Sequence, residues 1–134
     1  MKLSLLGLFV FALGCSRFEH VSECKALVAT VNEGIAKAEI ISKEPDKPEK
    51  FKELAAEYKE LASRVQALPV AQGKAKTEVK EYVELLRSTS DALKTAEGVV
   101  QTGGRPDAYT RELERLTRRE RLSIGKLETY CQSF

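Results

Sequence analysis

Ala75–Val100 reads AKTEVKEYVELLRSTSDALKTAEGVV, and the spacing of its apolar residues decides the fold. Ala75, Val79, Tyr82, Leu86, Thr89, Leu93, Ala96 and Val100 recur at alternating steps of four and three. That period keeps one stripe on one side of an α-helix, whereas a strand would alternate every second residue. Gly103-Gly104 ends the stretch, and the PVAQG segment (residues 69–73) separates it from what comes before.

The same spacing appears on both sides. Upstream, Phe51, Leu54, Tyr58, Leu61, Val65 and Leu68 form a second stripe, opened by Asp46 and by Pro48 at the first helical position and closed by Pro69. Before it, Val21, Cys24, Val28, Val31, Ile35 and Ala38 form another, with Ser16 and Glu19 spaced as a capping box; the KEPDK segment (43–47) breaks it. Downstream, Tyr109, Leu113, Leu116, Ile124, Leu127 and Tyr130 form the poorest pattern, because residues 118–121 between them are charged. The expected helices run over about 18–42, 48–68, 74–101 and 107–131. Short connections favour antiparallel neighbours, so the expectation is an all-α, up-down-up-down four-helix bundle with heptad-like packing, as one domain over residues 15–134. A heptad seam also permits a helical dimer in place of a closed monomer.

Composition agrees and narrows the function. The 134 residues carry 22 Lys and Arg against 20 Asp and Glu, a net charge of +2 that gives no reason to expect a nucleic-acid partner. With 43% hydrophobic residues, four Pro and no Trp, the chain fits a helix-rich globular domain and not a disordered or collagen-like one.

The leader sets the compartment. Met1-Lys2 precedes the apolar run LSLLGLFVFAL (3–13), too short for a membrane span of roughly 20 residues but suited to a secretory signal peptide over residues 1–14. Ala12-Leu13-Gly14-Cys15 resembles a bacterial lipobox, which implies that Cys15 becomes the acylated first residue of a mature lipoprotein. Ala12 stands where that family usually has Leu, and Leu13 where Ala or Ser is commoner. Ordinary signal-peptidase cleavage at Ala12-x-Gly14 is therefore the alternative. Among such lipoproteins, Ser after the Cys usually goes with export to the outer membrane, so Ser16 implies a periplasm-facing protein held there by its lipid. The body also resembles small envelope lipoproteins whose helical domain carries terminal cysteines.

Two thiols remain, Cys24 and Cys131, near the ends of the mature chain. An exported protein with an even count invites a disulfide, and an even-numbered antiparallel bundle brings the start of its first helix beside the end of its last. The alternative is a metal site of His20, Cys24 and Cys131, since His20 and Cys24 share a helical face. A single His argues against it. With Cys15 close to the first helix, the bundle is expected to stand on the membrane at the disulfide end. The 43–47 and 102–106 loops then point away from it.

Chemistry-bearing motifs are scarce. The G-x-S-x-G elbow, P-loop, H-E-x-x-H, C-x-x-C-H and paired Glu-x-x-His signatures are all missing from the sequence. Glu60 with Arg64, Lys80 with Glu84 and Glu114 with Arg118 read as solvated i, i+4 ion pairs. In RELERLTRRER (111–121), Arg111, Arg115, Arg118 and Arg119 share much of one helical face, which is either solvated or a partner-binding patch for anionic groups. Tyr58, Tyr82, Tyr109 and Tyr130 fall on the apolar stripes, with hydroxyls expected at the rim. Gly34 and Gly125 interrupt helices, an arrangement that close helix approach would explain. The reading is a non-catalytic adaptor or accessory protein of the bacterial envelope, with an envelope protein as partner and no cofactor. A small-ligand or metal-binding bundle is the alternative.

Overall fold

The structure, a computed structural model, describes residues 18–132. The signal peptide, Cys15 and Ser16 lie outside the described residues, as does the side chain of His20. Four helices follow one another: α1 (Phe18–Ser42), α2 (Pro48–Gln66), α3 (Lys76–Gln101) and α4 (Asp107–Gln132). Among the described residues there is no strand, and no helix is long and apolar enough to cross a membrane. The all-α four-helix bundle expected from the periodicity is what forms.

The helix ends follow local chemistry. Pro48 opens α2, where a missing N–H costs nothing because the first turn has no acceptor for it. Its N-cap is Lys47, without a side-chain cap, while the Asp46 carboxylate accepts a bond from Lys50 Nζ at 2.7 Å. The helix stops at Gln66, two residues earlier than the apolar stripe suggests. Leu68 precedes Pro69 and is driven to an extended conformation (φ −72°, ψ 148°), as pre-proline sterics require. The expected 69–73 loop contains a 3-10 turn, Pro69–Gln72, that buries Val70 and Ala71.

Beyond the last residue of α3, Gly103 adopts φ 70°. The Gly104 N–H donates to Val99 O at 2.8 Å and the Gly103 N–H to Val100 O at 3.2 Å, the double bond of a Schellman motif. A Cβ on Gly104 would lie 2.7 Å from Val99 Cγ1, so both glycines are needed for the chain to turn this sharply into α4.

The core is a single cluster drawn from all four helices, with Leu54, Ala62, Val65, Tyr82 and Leu86 fully covered. Packing is uneven. α2 and α3 share the largest interface, α3 and α4 the next, and α1 leans mainly on α2 while meeting α4 only sparsely. Gly34 lets α1 come close, since a Cβ there would lie 2.6 Å from Leu61 Cδ1. This roll toward α2 changes the buried face of α1. Leu27 and Gly34 are buried, whereas Val21 and Val28, expected in the core, are half-buried.

Candidate functional site

Both ends of the bundle and its middle carry features that packing alone does not explain. At one end Cys24 and Cys131 are joined in a disulfide, with Cα atoms 5.9 Å apart across 107 residues of sequence. Antiparallel topology brings them together. The Glu23 carboxylate lies near Gly73, so the 3-10 turn between α2 and α3 belongs to this end as well. A metal site of His20, Cys24 and Cys131 would need free thiolates, and the disulfide consumes both sulfurs.

At the opposite end, a groove of about 480 Å³ runs between the head of α2 and the first half of α4. Phe51, Tyr109 and Leu113 are among its apolar lining, and the rings of Phe51 and Tyr109 meet edge-on at 5.3 Å. Lys50, Arg118 and Arg121 line it with positive charge, Asp46 and Glu114 with negative. No residue of α1 or α3 contributes. α3 packs closely on both α2 and α4, so the gap between those two opens on the side where α1 stands off α4.

The basic run of α4 divides around the helix. Arg118 borders the groove together with Arg121, while Arg119 borders a shallow hollow on the other flank with Glu81, Leu122 and Lys126. Arg115 is engaged by Glu112 through two hydrogen bonds, 2.9 and 2.6 Å, which hold that carboxyl below its ordinary range. Arg111 is exposed. The expected pairing of Glu60 with Arg64 gives way to a bond between helices, Arg64 Nη2 to Glu33 Oε2 at 2.9 Å. Neither Lys80–Glu84 nor Glu114–Arg118 closes to an ion pair among the described residues.

The middle of the bundle holds what the periodicity did not foresee. Glu120, in the charged stretch of α4, is 1% exposed, and Ser123 one turn later is equally buried. Glu120 Oε1, Ser123 Oγ, Tyr58 Oη from α2 and Tyr82 Oη from α3 are buried and have no hydrogen-bond partner among the described residues. Other buried hydroxyls are satisfied: Ser90 Oγ donates to Ala55 O at 2.7 Å, and Thr89 Oγ1 to Leu85 O at 2.9 Å. The Tyr58 and Tyr82 hydroxyls therefore end inside the core and not at its rim.

Burial governs the chemistry of this cluster. It raises the Glu120 carboxyl to about 7, outweighing the opposing pull of Arg121. Burial, aided by the nearby charge of Glu120, also pushes the Tyr58 and Tyr82 phenols well above their ordinary values. Both phenols stay protonated at any physiological pH. A sequence signal for the cluster did exist: Leu113, Leu116, Glu120, Ser123 and Leu127 continue the helical period with polar residues in apolar places.

No protein-family model matches the chain, and no curated protein or solved structure matches it either.

Proposed function

We propose that this chain is a lipid-anchored, non-catalytic binding protein of the bacterial envelope, an adaptor or accessory subunit that meets an envelope protein with its membrane-distal end. The observation that carries this reading is the polarity of the bundle. The disulfide and the start of α1, which follows the lipobox-like Cys15, are at one end; the groove with its mixed apolar and basic lining is at the other. An anchor at the first end leaves the second free to meet a partner. Catalysis has less support, because the groove carboxylates lack the buried, paired setting that acid–base work requires, and Asp46 is tied to Lys50.

The test has two parts. Expressed with its own leader, the protein should enter the membrane fraction with an intact mass that begins at Cys15, carries an acylated glyceride and rises by two mass units on reduction. Arg111→Glu with Arg118→Glu should then remove an envelope partner captured by cross-linking while leaving the far-UV circular dichroism unchanged. A soluble, unacylated product would refute the anchor, and an unchanged partner set would refute the role of that face. A second reading, a small-ligand site, is favoured by the groove volume, which lies within the range of ligand pockets. Native mass spectrometry showing a retained small molecule would select it.

A further inference from the structure

We propose that Glu120 is a proton-controlled latch: protonated, it lets the bundle close, and on losing its proton it opens the α1–α4 seam, beside the distal groove that lies between α2 and α4. Geometry carries the argument. Four polar atoms from three helices, Tyr58 Oη, Tyr82 Oη, Glu120 Oε1 and Ser123 Oγ, are buried in the core without hydrogen-bond partners among the described residues. A neutral carboxyl is an uncharged group that can donate a hydrogen bond to a phenol or hydroxyl. A carboxylate at the same place is a buried charge whose desolvation outweighs the attraction of Arg121, a state that a low-dielectric interior disfavours.

Among the described residues, the charged and titratable groups near the cluster do not offset that burial. α2 contributes Tyr58 and α3 contributes Tyr82, both neutral; α1 contributes Glu39, whose negative charge is felt at Tyr58; α4 contributes Arg121, whose attraction is outweighed by burial. Of Tyr58, Tyr82 and Glu120, Glu120 alone changes charge near neutrality.

An ionised Glu120 is relieved only by water, and the thinnest wall admits it. α2 and α3 are packed most extensively, and α4 is held to α3 by close packing and by Lys126 Nζ to Glu81 Oε2 at 3.1 Å. Of the helix pairs that share an interface, α1 and α4 share the smallest, and the Cys24–Cys131 bond fixes that pair at one end. The seam therefore opens about the disulfide as a hinge, toward the groove end.

The decisive experiment follows the oxidised, folded domain by NMR from pH 5 to 8, reading the Glu120 carboxyl carbon and amide hydrogen exchange corrected for its intrinsic pH dependence. Glu120 should titrate near neutrality. Amides of α1 and α4 at mid-height (31–38 and 116–124) should open on the order of 100-fold more at pH 8 than at pH 5, the fold-change that a shift of about two pH units transmits. Glu120→Gln, which cannot ionise, should abolish that rise. Titration in the ordinary carboxylate range would overturn the latch, as would the same rise in Glu120→Gln, or a rise in α2–α3 amides matching that in α1 and α4. The carboxyl titration is read on the wild-type chain and stands whether or not the variant folds.

Discussion

The α2–α3 interface and the α1–α4 seam close the same bundle by different means. Between α2 and α3 the work is done by contact: Leu54, Ala55, Ala62 and Val65 of α2 and Tyr82, Val83 and Leu86 of α3 are buried in one cluster, and Ser90 reaches across to Ala55 O. Such packing needs no covalent help, since each fully buried aliphatic side chain contributes on the order of 1.5–3 kcal/mol. Between α1 and α4 there is little contact and one disulfide at the base, and α4 also brings Glu120 and Ser123 into a buried polar cluster. The contrast separates what makes the domain stable from what leaves it able to change: a fully packed pair forms the scaffold, and a seam held at one end remains adjustable.

The largest expected effect breaks the seam and spares the interface. Cys24→Ala with Cys131→Ala, or reduction, releases a loop of 107 residues and should destabilise the domain by about 4–5 kcal/mol in the chain-entropy picture. Urea melts with and without reductant measure it, and hydrogen exchange should report the loss in α1 first. A loss below about 1 kcal/mol would mean that packing already closes the seam and that the comparison is wrong.

A smaller effect depends on pH. Glu120 is raised to about 7 in the fold, above its ordinary value of 4.5. The folded state then binds a proton that the unfolded chain has already released, so stability falls as pH rises from about 4.5 to about 7 and is level beyond. At about 1.4 kcal/mol per unit the total is on the order of 3 kcal/mol. Glu120→Gln should therefore match the wild type near pH 4 and exceed it at pH 8, as read from melts at both. Equal curves at the two pH values would mean that Glu120 is solvated in the native state.

The smallest effect is a difference of sign between two glycines. At Gly34 a Cβ would press on Leu61 Cδ1 and Cδ2 at 2.6 and 2.8 Å, and Leu61 is too buried to give way. Gly34→Ala should therefore cost about 1–2 kcal/mol and loosen α1 from α2. At Gly125 nothing lies within 4 Å of the added carbon, so close approach, expected there from the sequence, does not account for it. Gly125→Ala should stabilise α4 by up to about 1 kcal/mol through helix propensity. Thermal melts of both variants decide this; the same sign in both would show that α1 and α2 are less tightly apposed than the Gly34 contact indicates.

Much of this architecture was legible in the chain, and the exceptions share a cause. The seam of α3 needed only period, and from Ala75 to Ala96 every expected core residue is buried. In α1 a step of three or four from Cys24 leads equally well to Leu27 or Val28, and the choice fell to Leu27 because α1 rolls onto α2 at Gly34. Arg64 had an acceptor on its own helix in Glu60 and took Glu33 on α1, since only the folded chain places Glu33 within reach. Glu120 lies in the charged stretch 118–121 and Ser123 just beyond it, and charge and polarity ordinarily mark a wet face. Their burial is imposed by Leu116 before them and Leu127 after, whose apolar stripe carries the residues between into the core.

The sequence by itself determined the number of helices, their antiparallel order and the meeting of Cys24 with Cys131, because apolar period and short loops leave a four-helix chain few ways to cover its stripes. Tertiary structure decided how unequally the helices share that core, where the groove opens and which polar side chains are trapped inside. Those outcomes depend on the roll and spacing of each helix against its neighbours, and local sequence does not encode them.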